Sequence, residues 1–115
     1  MSNNKYIDIL EFSDDPWGRS VEDNPDSNGN DFRERFLTDA FRQFDTVTVD
    51  FSKLRDVPDS AFLGGSFVNL IKEDGFSYDE VLQKLVILPA DGFLPQLVRR
   101  IIELARDEHK RVAGA

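Results

Sequence analysis

Apolar and polar positions along this chain follow patterns that predict three main strands. The apolar run at 5–12, which ends before Pro16 and its polar neighbours, predicts the first strand. The alternating, β-branched stretch 46–51 predicts the second, and the short apolar stretch 86–88 predicts the third. We also expect a short strand around 19–21 that pairs back on the first one.

Apolar residues at helical spacing predict four helices between and after these strands. Their expected N-terminal residues are, in order, Asn30 or Asp31, then Asp59 or Ser60 after Pro58, then Ser77, and finally the turn that contains Pro95. The last helix is expected to reach about Lys110. This order of elements predicts an α/β fold, with a small mixed β-sheet flanked by helices.

The composition is that of one folded domain. The chain has 115 residues, of which 40% are hydrophobic, and its ten Phe supply large side chains for a core. We therefore expect a single domain over 1–115, with an acidic loop at 13–30 inside it. No window approaches the about 20 apolar residues of a membrane span, and the N-terminus lacks a signal-peptide pattern. We expect a cytoplasmic protein without membrane contact.

Negative charge is concentrated in one part of the sequence. The net charge is −8, and the stretch from Glu11 to Asp31 alone contributes −6 through seven acids and one base. The stretch from Arg99 to Arg111 instead holds five bases and three acids. Excess negative charge argues against direct nucleic-acid binding and favours a basic protein surface as partner. An acidic decoy that occupies the nucleic-acid site of another protein is an alternative.

Residues that support catalysis or metal binding are scarce. The chain has one histidine and no cysteine, which excludes disulfides and thiol nucleophiles. Asn24, Asp26, Asn28 and Gly29 match early positions of a calcium loop, but the position that needs a bidentate glutamate is Arg35. A turn that leads into a capped helix explains the same residues. We expect no enzymatic activity, no metal and no cofactor.

Several residues are candidates for contact with a protein partner. Ser60 follows Asp59 at a predicted helix N-terminus, which favours an oxyanion, so Ser60 is either a phosphorylation site or a simple N-cap. Gly64 and Gly65 indicate a close approach to the helix backbone, from within the domain or from a partner. Trp17 is either a hot-spot residue or a side chain folded over the sheet edge. The expected partner-binding residues are Trp17, Arg19, Asp59, Ser60, Phe62, Gly64, Gly65 and Ser66.

Short motifs in a fixed order resemble a known family. The motifs are Gly18-Arg19, Asn28-Gly29, Phe32-Arg33-Glu34, the VTVDFS run from Val47 to Ser52, and the DSAFL run from Asp59 to Leu63. In this order they resemble the small bacterial STAS-like proteins of uncharacterised function. Those proteins are similar in turn to STAS domains, the sulphate transporter and anti-sigma factor antagonist modules. The similarity runs from about Ile9 to Leu104.

The resemblance implies a small mixed sheet flanked by helices and a regulatory role through protein contacts. In STAS antagonists a partner kinase phosphorylates a serine at the start of a helix that follows a central strand. That serine aligns with Ala61 here, one residue after Ser60, and the acid of the pattern aligns with Asp59. Gly64-Gly65 also replaces residues that are usual in the STAS-like family. We therefore expect a non-enzymatic module with a changed or lost phospho-switch. Its partner would be a kinase-like ATPase or a regulator, and the chain could also form a homodimer.

Overall fold

The strands form one parallel sheet. The structure, a computed structural model, describes residues 3–113 and their side chains up to 111. Strands β1 (Asn4–Asp8), β2 (Thr46–Asp50) and β3 (Leu85–Leu88) lie side by side in that order, and both neighbouring pairs are parallel. The predicted α/β class is confirmed. The sheet is parallel rather than mixed because residues 19–21 form a turn instead of the expected strand.

In the described range 3–113, four helices connect and follow the strands. Helix α1 covers 29–43, α2 covers 60–72, α3 is Tyr78–Lys84 and α4 is Leu94–Ala113. Both α1 and α2 contain a π-helical turn in the middle. Their segments are Gly29–Phe32, π-helical Arg33–Leu37 and Thr38–Gln43 in α1, and Ser60–Leu63, π-helical Gly64–Val68 and Asn69–Lys72 in α2. Within residues 3–113, no helix combines the length and the apolar composition needed to cross a bilayer.

Side-chain caps determine where the helices begin. Asn28 caps α1, because its Oδ1 accepts a hydrogen bond from the backbone N–H of Asp31 at 2.9 Å. The helix therefore begins at Gly29, slightly before the predicted start. The predicted caps of α2 and α3, Asp59 and Ser77, are confirmed. Local polar side chains thus placed three helix starts to within two residues.

The first strand is shorter than the apolar run that predicted it. β1 ends at Asp8, whose Oδ1 accepts a hydrogen bond from the backbone N–H of Leu10 at 3.0 Å. A 3₁₀ turn, Ile9–Glu11, follows directly. The side chain of Ile9 is nevertheless fully buried. The apolar run therefore predicted burial correctly, but the Asp8 carboxylate ends the extended backbone early.

The helices cover one face of the sheet. Ile7, Val47 and Val49 are fully buried on that face, together with large aromatic side chains from α1 and α2. Successive strand residues point to opposite faces, and on the other face Tyr6 is 53% exposed and Val86 39% exposed. The second face of this parallel sheet is therefore open.

Candidate functional site

The segments that leave the carboxyl ends of the strands lie together. Because all three strands are parallel, residues 9–28, 51–59 and 89–93 follow the strands at the same end of the sheet. Open α/β sheets commonly bind ligands outside the carboxyl ends of their strands, in clefts formed by such segments. The fold therefore favours a binding site at this end of the sheet.

A cleft of about 700 Å³ lies at the carboxyl end of the sheet, between the segments that follow β1 and β2. Three apolar side chains that line it are strongly exposed: Leu10 at 42%, Trp17 at 44% and Val57 at 48%. Its charged lining residues are Asp14, Asp15, Lys53, Arg55, Asp56 and Asp59. Acids outnumber bases, so the cleft would complement a basic protein segment with an apolar anchor.

The acidic loop is fixed in place by backbone hydrogen bonds to the start of α1. The carbonyl of Gly18 accepts from the N–H of Gly29, and the carbonyl of Arg19 accepts from the N–H of Asn30, both at 2.9 Å. Gly18 has a φ of +80°, a conformation that other residues rarely adopt. The adjacent Trp17 is therefore presented at the cleft by an ordered backbone.

The two asparagines considered as calcium-loop positions support this loop instead. Asn28 caps α1 and donates from Nδ2 to the carbonyl of Asn24 at 2.9 Å. Asn24 donates from its own Nδ2 to the carbonyl of Trp17 at 3.0 Å, and both asparagines are buried. In the described part of the chain, no three His, Cys, Asp or Glu side chains are grouped so that they could hold a metal ion.

Asp59 joins the acidic loop to the start of α2. Its Oδ1 accepts hydrogen bonds from the backbone N–H of Phe62 at 2.9 Å and from that of Gly18 at 3.1 Å. One carboxylate oxygen thus caps the helix and anchors the loop that carries Trp17. Ser60 is exposed, and the cap is Asp59 rather than Ser60.

Four of the predicted partner-binding residues lie inside the domain. Phe62 and Ser66 are fully buried, and Gly64 and Gly65 are also buried. A Cβ atom on Gly65 would lie 2.9 Å from the carbonyl oxygen of Arg19. The close approach that the glycine pair predicted is therefore intramolecular, and it comes from the acidic loop. Phe62, Gly65 and Ser66 are therefore corrected from partner surface to interior packing, whereas Gly64, although buried, lines a groove on the surface of α2.

The other four predicted residues are at the surface, around the first turn of α2. Trp17 and Asp59 line the cleft, whereas Arg19 and Ser60 line a second groove of about 290 Å³ between α2 and α4. The Arg19 guanidinium lies over Gly64, where a Cβ atom would be 3.4 Å from its Nη2. The cleft, which Asp59 lines, and the groove, which Ser60 and Arg19 line, therefore meet at the start of α2.

A polar cluster that was not predicted from the sequence lies at the ends of β1 and β2. Asp8 and Asp50 are register partners on neighbouring strands. Lys53 Nζ donates to Asp8 Oδ2 at 2.8 Å, and the Tyr6 hydroxyl donates to Asp50 Oδ2. The alternation in both strands was the available signal, because it places Tyr6, Asp8 and Asp50 on the face opposite the buried aliphatic residues. Lys53 also lines the cleft, so the cluster borders the candidate site.

Hydrogen bonds shift the pKa values of the four groups in this cluster in the directions that favour the protonation states they have at neutral pH. The hydrogen bond from Lys53 is the main cause that lowers the pKa of Asp8 below its ordinary value of 3.8. Burial opposes ionisation of Asp50, but hydrogen bonds from Ser52 and Tyr6 outweigh burial and lower the pKa of Asp50. Hydrogen bonding to the carboxylates raises the pKa of Lys53 and of Tyr6. At neutral pH the cluster therefore holds two carboxylates, one ammonium and a neutral phenol.

We expect the Lys53→Met variant to raise the pKa of the Asp8 carboxyl, because the substitution removes the largest cause of its lowering. The pKa of Asp8 is lower in the folded chain than its ordinary value of 3.8. The ionised Asp8 therefore stabilises the fold at pH values above 3.8, and this stabilisation is lost as the pH falls from 3.8 through the pKa of the folded chain. Carboxyl ¹³C NMR titration measures the shift. Lys5→Met is the matched control, and an unchanged Asp8 pKa in Lys53→Met would contradict the assignment.

A comparison with protein families assigns more than half of the chain. The model of a family described as STAS-like domain of unknown function (DUF4325) matches residues 28–92. The match begins at the cap of α1, includes the start of α2 and ends after β3; β1, most of the acidic loop and α4 lie outside it. It confirms the resemblance over this central part of the segment 9–104 expected from the sequence. Searches of the curated proteins and of the solved structures found no match.

Proposed function

We propose that this chain, which belongs to the family of STAS-like domains of unknown function, is a non-enzymatic regulatory module that binds a protein partner. Binding takes place at the cleft beside the acidic loop. The observation that carries the proposal is Trp17, which is 44% exposed on an ordered backbone next to an apolar and acidic surface. The partner is a kinase-like ATPase or a regulator that such an ATPase controls.

The lining of the cleft favours a protein over a phosphate-bearing ligand. Tryptophan is enriched among the residues that contribute most to protein–protein affinity, because it buries a large area with little loss of side-chain freedom. The acids of the cleft include Asp14, Asp15 and Asp56, and they repel phosphate groups while attracting lysine and arginine. A basic segment with one apolar anchor residue satisfies both features of the surface.

Ser60 is the residue through which we propose that binding is switched. It is exposed at the N-terminal end of α2, directly after the capping Asp59, and it shares a groove with Arg19. A phosphate on Ser60 would meet the positive end of the helix dipole and the Arg19 guanidinium. It would also add negative charge beside Asp59, and so change the affinity of the neighbouring cleft for a basic partner.

Isolation of the tagged chain from its host at native expression tests this function. We expect a stoichiometric protein partner, and we expect Trp17→Ala to weaken its capture at least about tenfold, the loss typical of a hot-spot tryptophan. Val21→Ala is the matched control, because Val21 is 58% exposed on the same loop but does not line the cleft. Recovery of the chain alone, or equal capture by both variants, would contradict the proposal.

Phosphopeptide mapping of the same isolate shows whether Ser60 is phosphorylated. An unmodified Ser60 beside a captured kinase would refute the proposed switch.

A further inference from the structure

β3 forms one edge of the sheet, and part of its backbone points away from its neighbours. The N–H of Phe51 donates to the carbonyl of Leu88 at 2.9 Å, so this carbonyl points toward β2. Because backbone groups alternate in direction along a parallel strand, the N–H and carbonyl of Ile87 and the carbonyl of Leu85 point outward. The N–H of Leu85 closes α3 by donating to Val81. The edge therefore presents three backbone groups that an added strand would pair with.

An apolar groove of about 290 Å³ runs beside this edge, between β3 and α4. Aliphatic side chains of α3, β3 and α4 line it, and among the described side chains that line it only Arg99 is charged. Arg99 is exposed, and among the side chains that the structure describes it has no acidic partner within ion-pair distance. The groove thus combines apolar contact area with one available positive charge.

The two edges of the sheet differ in how they resist pairing. β1 carries the exposed polar residues Asn4 and Lys5, and a lysine on an edge strand opposes the addition of another strand. β3 has the sequence Leu-Val-Ile-Leu, without a charge or a proline, and Val86 is 39% exposed. β3 is short, with four residues, but an apolar edge strand without a charge or a proline can pair with another strand unless something covers it.

We propose that the β3 edge binds an extended segment of a partner protein, which adds to the sheet as a fourth strand. One apolar side chain of the segment enters the groove, and a carboxylate of the segment pairs with Arg99. Charge argues against a second copy of this chain, because two-fold pairing of β3 with β3 would bring the Arg99 side chains of both copies to the joined edges. This surface shares no lining residue with the cleft of the proposed function.

Selection from a displayed library of random octapeptides, followed by binding of the synthetic peptides, tests the proposal. We expect the selected peptides to alternate apolar and polar residues and to contain an acid. Arg99→Glu should weaken their binding about fivefold, whereas Arg100→Glu, the same charge change one residue further along α4 and outside the groove, should change it less than about twofold. Peptide binding should also slow hydrogen exchange at the amide of Ile87.

Peptides with alternate backbone amides N-methylated provide the decisive control, because they keep every side chain but cannot pair with the edge. The proposal requires that they fail to bind. It is overturned if they bind equally well, if Arg99→Glu and Arg100→Glu behave alike, or if no peptide is selected. It is also overturned if the Ile87 amide becomes protected with rising protein concentration alone, since a second copy would then occupy the edge.

Discussion

Replacing Gly29 with alanine is expected to destabilise the protein by about 3 kcal/mol or more, a large part of the free energy of unfolding of a domain this size. A Cβ atom at this position would overlap the backbone carbonyl oxygen of Phe62 and would lie 3.1 Å from the backbone nitrogen of Ser66. Both atoms belong to the backbone of α2, so neither can rotate away. The helices α1 and α2 would have to separate, and urea denaturation followed by circular dichroism measures the loss.

Gly92→Ala is the matched control for this substitution. A Cβ atom on Gly92 would lie 3.4 Å from Cγ of Pro89 and 3.6 Å from its carbonyl oxygen, which the surroundings accommodate with a small adjustment. We expect its free energy of unfolding to change by less than about 1 kcal/mol. A Gly29→Ala variant as stable as Gly92→Ala would show that the two helix backbones do not meet as closely as the structure describes.

Gly29 also illustrates how far sequence reasoning reached in this fold. Its neighbour Asn28 was recognised as a residue that favours a turn into a helix, and this local signal was sufficient to place the turn. The packing of Gly29 against α2 involves Phe62 and Ser66, more than thirty residues further on, and no pattern near Gly29 indicates which backbone it will meet. Helix caps can be predicted from the local sequence, whereas contacts between helices depend on how the whole chain folds.

The interior part of α2 was misinterpreted for a related reason. The glycine pair Gly64-Gly65 predicts a shallow groove beside Phe62 and Ser66, and this groove was the reason to expect a partner surface there. In the structure the whole stretch 62–68 is buried, because α1, α4 and the acidic loop cover the sides that the rest of the core does not. A loop that reads as solvated from its composition thus acts as a packing layer, which composition alone does not reveal.

The candidate site was predictable only where its residues are neighbours in sequence. Asp59 and Ser60 were identified from the local helix start, and Trp17 from its unusual place in a polar loop. The cluster of Tyr6, Asp8, Asp50 and Lys53 was not identified, because it joins two strands separated by more than forty residues. Its recognition needs the register between β1 and β2, which the alternation within each strand leaves undetermined.

Substitution of Arg33 by methionine is expected to cost about 3 kcal/mol, because it removes one partner of an ion pair in which Arg33 is buried and Asp74 is only 15% exposed. Arg33 is only 5% exposed, and its Nη1 donates to both carboxylate oxygens of Asp74 at 2.9 Å. Its Nε donates to the carbonyl of Gly65 at 3.2 Å, which joins the π-helical turn of α1 to that of α2. Methionine keeps the apolar stem but leaves the Asp74 charge and the Gly65 carbonyl without these donors.

Two further variants distinguish loss of the ion pair from loss of packing. Arg35→Met changes an exposed arginine of α1 that lies over the Phe12 ring, and we expect it to cost less than about 1 kcal/mol. Adding Asp74→Leu to Arg33→Met removes the carboxylate that has lost its arginine and keeps only the hydrogen bond from Thr38, and it should recover part of the stability. If Arg33→Met costs no more than Arg35→Met, the ion pair does not hold the two helices together. If the ion pair acts only by positioning α1 and α2, the folded double variant Arg33→Met with Asp74→Leu should still bind the partner. Its binding should still be weakened by Trp17→Ala.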